Sequence, residues 1–314
     1  MLPRIALAQR PTPLQHLPRL SQALGAELWV KRDDLTGFGL SGNKVRKLEL
    51  LLGDALARGA DTVITCGGVQ SNHARATALA CRQLGLRPVL LLRGDPASPP
   101  TGNLGLDRLI DADVRWCTRE QYASERGALM AALADELRSK GAKPYIVPEG
   151  GSNGLGALAF AEAASEAREQ VQGDFDGVFV AVGSGGTVTG LALRPVLGPV
   201  VGVAVCDDAA TFEARAAEIA ADASAYGLGA LASPGDSWRI DDRFVGAGYG
   251  LADAELWALI RLAAQTEGLL LDPVYTGKAF QALAAAAKAR PGQRLLFWHT
   301  GGAFALFGRE GEWA

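Results

Sequence analysis

Short runs of β-branched and other apolar residues recur along this chain, separated by stretches rich in alanine and leucine. The runs are "TVITCGG" (62–68), "RPVLLLRG" (87–94), "KPYIVPEGG" (143–151), "GVFVAVGSGG" (177–186), "VVGVAVC" (200–206) and "RLLFWHTGG" (294–302). Several are apolar throughout, as strands are when both faces of a parallel sheet are covered. Segments such as "SNHARATALACRQLG" (71–85) and "GALAFAEAASEAREQ" (156–170) carry helical patterns between them. Strand–helix alternation with short loops predicts a doubly wound, mostly parallel α/β architecture. The clearest polar loop is "LRGDPASPPTGN" (92–103).

Four of these runs close on glycine pairs: Gly67–Gly68, Gly150–Gly151, Gly185–Gly186 and Gly301–Gly302. One such pair is an ordinary turn. Four at corresponding places predict a shared crevice, because ligands of open α/β sheets bind outside the carboxyl ends of the strands. Glycine there lets backbone amides approach a ligand closely.

Composition narrows the ligand. The chain has 314 residues and a net charge of −3, enough for two domains of about 100–200 residues each. It has no basic block, which argues against nucleic acid and anionic membrane as partners. No apolar run approaches the about 20 residues that a spanning helix needs. The proline-broken N-terminus lacks the apolar core of a signal peptide. Cys66, Cys81, Cys117 and Cys206 show no CxxC spacing, and with three histidines a structural zinc site is not expected. A reduced, cytoplasmic protein without metal is the expectation.

"VAVGSGGTVTGLAL" (180–193) reads as a strand, a glycine-rich turn and a helix start. Free amides at a helix N-terminus, aided by the helix dipole, can hold a phosphate. The loop is neither a Walker A sequence nor GxGxxG, since Val188 stands where the third glycine belongs. Asp207–Asp208 after the next strand keeps a dinucleotide site as a runner-up. "CGGVQSNHARATALA" (66–80) is a second such corner. Ser71 or Asn72 suits an N-cap, or the same amides hold a substrate carboxylate with Ser71 beside it.

"SGNKVRK" (41–47) places Lys44 near a helix start. Such a lysine is normally solvated. Desolvation, helped by Arg46 and Lys47, would instead free its amine for a Schiff base. A reactive lysine and a phosphate cradle are the minimum that pyridoxal phosphate requires. Tyr249 in "GAGYGLAD" and Tyr275 in "LLLDPVYTGKA" sit among glycines, as presented tyrosines do. Lys278 is the competing Schiff-base candidate, ranked second because an amphipathic helix follows it.

Taken together, "KRDDLTG" (31–37), "SGNKVRKLE" (41–49), "GGVQSNHARATA" (67–78), "GSGGTVTGL" (183–191), "DPVYTGKA" (272–279) and "HTGG" (299–302) resemble the D-cysteine desulfhydrase and 1-aminocyclopropane-1-carboxylate deaminase family. These are pyridoxal-phosphate enzymes of the tryptophan-synthase-β-like fold (fold type II). The matches run in order over nearly the whole chain. The resemblance implies a larger domain of residues 1–46 and 158–314, a smaller inserted α/β domain of residues 47–157, and a homodimer. It implies that Lys44 forms the Schiff base and that Asn72 bonds the cofactor's ring oxygen. It assigns the phosphate to the loop of Gly183, Ser184, Gly185, Gly186 and Thr187. Ser71, Tyr249 and Tyr275 correspond to the family's active-site serine and tyrosines. The resemblance also implies that Ser71, Asn72, His73, Tyr275 and Thr300 face the substrate.

Three positions separate the family's activities. Thr276 stands where the deaminases carry a glutamate at the pyridine nitrogen, Thr300 where they carry leucine, and His73 where they tend to have glutamine. All three lean towards the desulfhydrases. A carboxylate keeps the ring a strong electron sink, which opening a cyclopropane demands, whereas β-elimination of hydrosulfide manages with less. The expected reaction takes D-cysteine to pyruvate, hydrogen sulfide and ammonia, with Lys44, Ser71 or a tyrosine as the Cα base. The alternatives are an L-cysteate sulfo-lyase, a 1-aminocyclopropane-1-carboxylate deaminase and a racemase of the same family. From other classes come a nicotinamide-dependent oxidoreductase and a non-catalytic binding protein.

Overall fold

The computed structural model describes residues 2–313. The strands are β1 (Leu14–His16), β2 (Glu27–Arg32), β3 (Thr62–Gly68), β4 (Arg87–Arg93), β5 (Asp113–Cys117), β6 (Pro144–Ile146), β7 (Gly177–Val182), β8 (Val200–Ala204), β9 (Trp238–Asp241) and β10 (Arg294–His299). The principal helices are α1 (Pro18–Leu24), α2 (Lys44–Ala57), α3 (Asn72–Gln83), α4 (Gly102–Leu109), α5 (Arg119–Ser139), α6 (Gly154–Glu169), α7 (Gly186–Leu193), α8 (Ala209–Ala223), α9 (Ala254–Glu267) and α10 (Thr276–Ala289).

They build two sheets. One has six strands in the order β1-β2-β10-β7-β8-β9, the other four in the order β5-β4-β3-β6. Every pairing is parallel except β1 with β2. The apolar runs supply the central strands: β7 and β8 are buried at every position. Four strands escape that pattern. β1 is polar and exposed after its first residue, and β2, β5 and β9 mix charged with apolar residues, as strands at or near a sheet edge do. The longest helix, α5, also lacks a continuous apolar stripe, and a Thr118–Gln121 capping box starts it.

One glycine pair departs from the expectation. Gly150–Gly151 does not end a strand, because β6 stops at Ile146 and the pair lies in a short 3₁₀ turn with Gly150 at φ 64°. Pro148 cannot donate to a ladder, so the strand cannot run on to the glycines. The turn still faces the crevice, since Gly150 lines it together with Gly67, Gly68, Gly183 and Gly301. Cys66, Cys81 and Cys117 are buried and Cys206 half-buried, all as free thiols.

A buried charge cluster ties the two ends of the N-terminal segment together. Asp33 accepts from Arg46 and Thr12, and Trp298 Nε1 on β10 donates to it at 2.9 Å. Arg46 also reaches Glu166 of α6, as does Lys31 at 2.7 Å. The "KRDD" segment therefore clamps α2, whose first residue is Lys44, onto the large sheet.

Candidate active site

The turn before α2 is made possible by Gly42. Its φ is +95°, and a Cβ there would stand 2.8 Å from the carbonyl oxygen of Thr300. With no side chain in the way, Asn43 N donates to that carbonyl at 3.1 Å. Lys44 Nζ donates to Asn43 Oδ1 at 2.8 Å, and Asn43 Nδ2 donates to Thr187 Oγ1 at 3.0 Å. Asparagine 43 thus joins the lysine amine, the end of β10 and the start of α7.

Lys44 is half-buried, and it lines a cavity of ≈ 260 Å³ at the carboxyl ends of both sheets. Burial lowers its pKa to about 8, with Asp272 opposing the shift and Arg75 adding to it. An appreciable neutral fraction therefore exists near neutrality, as a nucleophilic amine requires. Arg46, expected to help, does not: it is locked between Asp33 and Glu166, and their charges cancel its own.

Lys47 has a larger part than its sequence context indicated. It is 1 % exposed, and among the described residues Nζ bonds only Gly150 O at 3.1 Å and Ser152 Oγ at 3.2 Å. Burial, then the charge of Lys44, hold it well below the ordinary lysine range. A Cβ on Gly186 would lie 2.8 Å from this amine and 2.7 Å from Ser152 Oγ. The first-turn amides of α7 have no intrahelical acceptors. Gly186 N donates to Ser152 Oγ at 3.1 Å, while Thr187 and Val188 follow at the same helix end. A buried amine without a carboxylate, beside free amides and a side-chain-free Gly186, makes a cradle for a dianion. With the Lys44 amine nearby, the donors fit a phosphorylated aldehyde.

The second corner is built on Ser71, the N-cap of α3, whose Oγ accepts from Ala74 N at 3.1 Å. The cap uses a lone pair and leaves the hydroxyl proton available. His73 is buried and its ring bonds Thr65 Oγ1 at 2.8 Å. Burial and the nearby Lys44 and Lys47 keep that ring neutral, so its contribution to the cavity is its free backbone amide. Asn72 is oriented by Asn103, a residue that read only as part of a loop. Asn103 Nδ2 donates to Asn72 Oδ1 and to Gln70 O, each at 2.9 Å, and its Oδ1 accepts from Arg75 Nε at 3.1 Å. With its oxygen so occupied, Asn72 presents N–H groups to the cavity. Asn103→Asp keeps the acceptor for Arg75 but loses the donation to Asn72. It is expected to shift the visible absorbance of the cofactor-loaded protein and weaken cofactor affinity about tenfold, the worth of one buried hydrogen bond. Spectra and a cofactor titration check this.

On the opposite wall Tyr249 and Tyr275 meet hydroxyl to hydroxyl at 2.6 Å. Burial raises both pKa values, Tyr275 well above the ordinary value, so both stay phenols. One proton lies between the two oxygens and the other is free for the cavity. Lys278 is excluded as a second amine for the site: Nζ donates to Val245 O and Gly248 O, each at 2.7 Å. It holds the loop that delivers Tyr249. Thr276 is fully buried behind the lining, and its hydroxyl donates to Asp272 Oδ2 at 2.7 Å. Asp272 also accepts from the amides of Val274 and Tyr275. The acidic pair of the dinucleotide reading has other work: Asp208 caps α8 and Asp207 pairs with Arg215 at 3.2 Å.

Lys44, Ser71, Asn72, His73, Gly183, Ser184, Gly185, Thr187, Tyr249, Tyr275 and Thr300 all border the one cavity, with Gly186 and Thr276 just behind it. Lys47, Asn103, Asp272 and Arg93 were not singled out from the sequence. Lys47 was named only as a charge beside Lys44, yet like Asp272 it stood in a family motif, "SGNKVRKLE" and "DPVYTGKA" respectively, that could have drawn notice to it as a site residue.

A family profile described as pyridoxal-phosphate dependent enzymes matches residues 5–301. A bifunctional D-cysteine desulfhydrase/1-aminocyclopropane-1-carboxylate deaminase, mitochondrial, of Arabidopsis thaliana is 41 % identical, over 98 % of this chain and 80 % of its own. A D-cysteine desulfhydrase of Klebsiella pneumoniae is 41 % identical, over 97 % of this chain and 95 % of its own. A crystal structure of an ACC deaminase homologue superposes with a TM-score of 0.91 at 38 % identity, covering 99 % of this chain and 95 % of that one. Among the described residues no helix is long and apolar enough to cross a membrane.

Proposed function

The chain belongs to the family of pyridoxal-phosphate-dependent enzymes that includes D-cysteine desulfhydrases and 1-aminocyclopropane-1-carboxylate deaminases, and from that premise we propose that it eliminates hydrosulfide from D-cysteine. The observation that carries this reading is Thr276, a hydroxyl at the position the resemblance assigns to the ring nitrogen. Its proton goes to Asp272 Oδ2 and its oxygen accepts from the Asp272 amide at 2.8 Å, so from behind the lining it offers no charge of its own, with the carboxylate one hydrogen bond further back. That is a weaker electron sink than a carboxylate in direct contact. It suits loss of a good leaving group better than opening an unactivated cyclopropane.

Bound pyridoxal phosphate supplies an aldehyde carbon for amines and a conjugated ring that accepts the electron pair released at Cα. The α7 amides and Lys47 would hold its phosphate, Asn72 would offer an N–H to its ring oxygen, and the Lys44 amine would be its covalent anchor. Free amides at Ser71–His73 and the Ser71 hydroxyl bind the substrate carboxylate. Released Lys44, with its pKa near 8, takes the Cα proton. The tyrosines keep their protons, held there by burial, so at rest neither can accept the Cα proton. Their free hydroxyl proton can instead meet the sulfur as the Cβ–S bond breaks. Hydrosulfide leaves with the electron pair, and water converts the enamine product to pyruvate and ammonium.

The same reading carries a homodimer, implied by the resemblance, and a cytoplasmic location, expected from the scattered cysteines and the proline-broken N-terminus. The test is a side-by-side assay of the loaded enzyme with D-cysteine, L-cysteine and 1-aminocyclopropane-1-carboxylate. Equal sulfide and pyruvate from D-cysteine, with little 2-oxobutanoate from the cyclopropane, is expected. Preferential ring opening would sink the reading and favour the deaminase.

A further inference from the structure

Tyr249 and Tyr275 meet hydroxyl to hydroxyl at 2.6 Å, with their rings edge to face, 5.8 Å apart at 78°. The tyrosine that donates in this bond spends its proton on the other. The one that accepts keeps its own proton for the cavity. The distance does not choose between them; the surrounding charges do.

A cation lies on the side of Tyr249. Arg93 ends β4 in register with Gly68 at the end of β3. Because Gly68 has no side chain, the guanidinium lies over it, with Nη2 at 3.7 Å from where a Cβ would stand. Its central carbon is 5.3 Å from the centroid of the Tyr249 ring and 5.0 Å from that of Tyr122. Among the described residues this guanidinium has neither a hydrogen-bond nor an ion-pair partner, so no carboxylate in contact offsets its charge. A cation over a phenol ring favours loss of the phenol proton and makes the hydroxyl a stronger donor.

The carboxylates lie on the side of Tyr275. Asp272 Oδ1 accepts from the Tyr275 amide at 2.7 Å, and Glu149 of the 3₁₀ turn is a second negative neighbour. Burial raises the pKa of both phenols. The bond to Tyr275, then Arg93, oppose the rise at Tyr249, whereas Tyr249, Asp272 and Glu149 all add to it at Tyr275. The other groups beside the pair carry no free charge. Cys206, after β8, is a thiol pushed up to about 12 by burial. Tyr122 of α5 donates to Glu149 at 2.7 Å, and Lys278 of α10 is spent on the carbonyls of the Tyr249 loop. The Tyr275 ring packs on Gly183, where a Cβ would stand 2.8 Å from it, and lines the cavity.

We propose that Arg93 is a positioning residue: it makes Tyr249 the donor within the tyrosine pair, so that Tyr275 carries the free proton that meets the leaving sulfur. This rests on the elimination proposed above. The Cα proton goes to the base, a C=C bond forms, and the Cβ–S bond breaks with its electron pair on sulfur. Hydrosulfide departs as an anion, and the Tyr275 O–H donates a hydrogen bond to the sulfur as that charge develops. The proton itself stays on Tyr275, because a phenolate is a stronger base than hydrosulfide. Without the cation the bond between the tyrosines loses its direction, and the free proton moves to Tyr249.

Two measurements on the cofactor-loaded enzyme test this. The first compares kcat for D-cysteine with kcat for β-chloro-D-alanine, whose chloride leaves without help from a hydrogen-bond donor. Arg93→Met is expected to lower that ratio about tenfold, the worth of one charge-assisted hydrogen bond. Arg93→Lys, which keeps the charge, restores most of it. The second replaces tyrosine with a ring-fluorinated tyrosine and follows the fluorine resonances against pH, assigned with Tyr249→Phe and Tyr275→Phe. Tyr249 is expected to lose its proton at a lower pH than Tyr275. A cation holds a phenol's pKa down, so in Arg93→Met the Tyr249 titration moves up by about one pH unit. A Tyr249 titration that Arg93→Met leaves in place overturns the proposal. So does an equal loss of kcat for both substrates, which would make Arg93 a packing residue. A wild type that releases chloride but no sulfide sinks the D-cysteine reading instead, and the fluorine titration then decides what Arg93 does to the pair.

Discussion

Replacing Lys44 with alanine is expected to leave a folded protein that no longer holds its cofactor covalently. The amine's hydrogen bond is to its chain neighbour Asn43, so the fold loses little. The chemistry loses both the tether and the proposed Cα base, and proton transfer alone accounts for about 10²- to 10⁴-fold in rate. Absorbance of the loaded variant, borohydride reduction and peptide mass mapping check it. A reducible adduct retained at another amine would overturn the assignment. Lys47 would be the amine to look at first, since Lys278 is spent on the carbonyls of Val245 and Gly248.

The second large effect concerns stability. Asp33 and Arg46 are 0 % and 2 % exposed, and Asp33 is the fully buried carboxylate of their cluster. Removing one partner of a buried pair strands the other charge in a medium that cannot solvate it, at about 3–5 kcal/mol. Asp33→Ala is expected to lower the free energy of unfolding by that amount in a urea titration. The double replacement Asp33→Leu with Arg46→Met is expected to cost less than the two single changes added together, because it leaves neither charge behind. A loss below about 1 kcal/mol in Asp33→Ala would show that water reaches the cluster.

Glu166 in the same cluster sets an acid limit. Burial alone would raise its pKa, but hydrogen bonds and charge from Arg46, then Lys31, outweigh burial and bring it down to about 2 from an ordinary 4.5. A carboxyl depressed in the folded state stabilises at pH above its unfolded value. That share is lost as the pH falls from about 4.5 through about 2. Glu166→Gln is expected to flatten the acid limb of an unfolding profile.

Much of the architecture was legible because its signals are local. Continuous apolar runs marked the buried strands β3, β4, β7, β8 and β10. β1, β2, β5 and β9 were not legible, since a strand at or near an edge need not be apolar throughout. The glycine-rich turn before α7 declared itself by composition alone. The small residues there are what free amides and close approach require. Asn103 gave no such sign: its three side-chain bonds go to Gln70, Asn72 and Arg75, on a neighbouring loop and helix that only folding brings to it.

The chain's order of residues by itself determined the alternation of strands and helices, the crevice at their glycine-marked ends, and the family, through motifs that keep their spacing. Only the tertiary structure decided what each cation does. Arg46 and Lys47 are neighbours in one short motif, yet Arg46 meets Glu166 from 120 residues away and is neutralised, while among the described residues Lys47 meets no carboxylate and bonds only Gly150 and Ser152. Arg93, anonymous in its strand, lies over Gly68 with no ion-pair or hydrogen-bond partner for its guanidinium among the described residues. A charge's work depends on which opposite charges reach it and how little water does, and neither quantity is local in the chain.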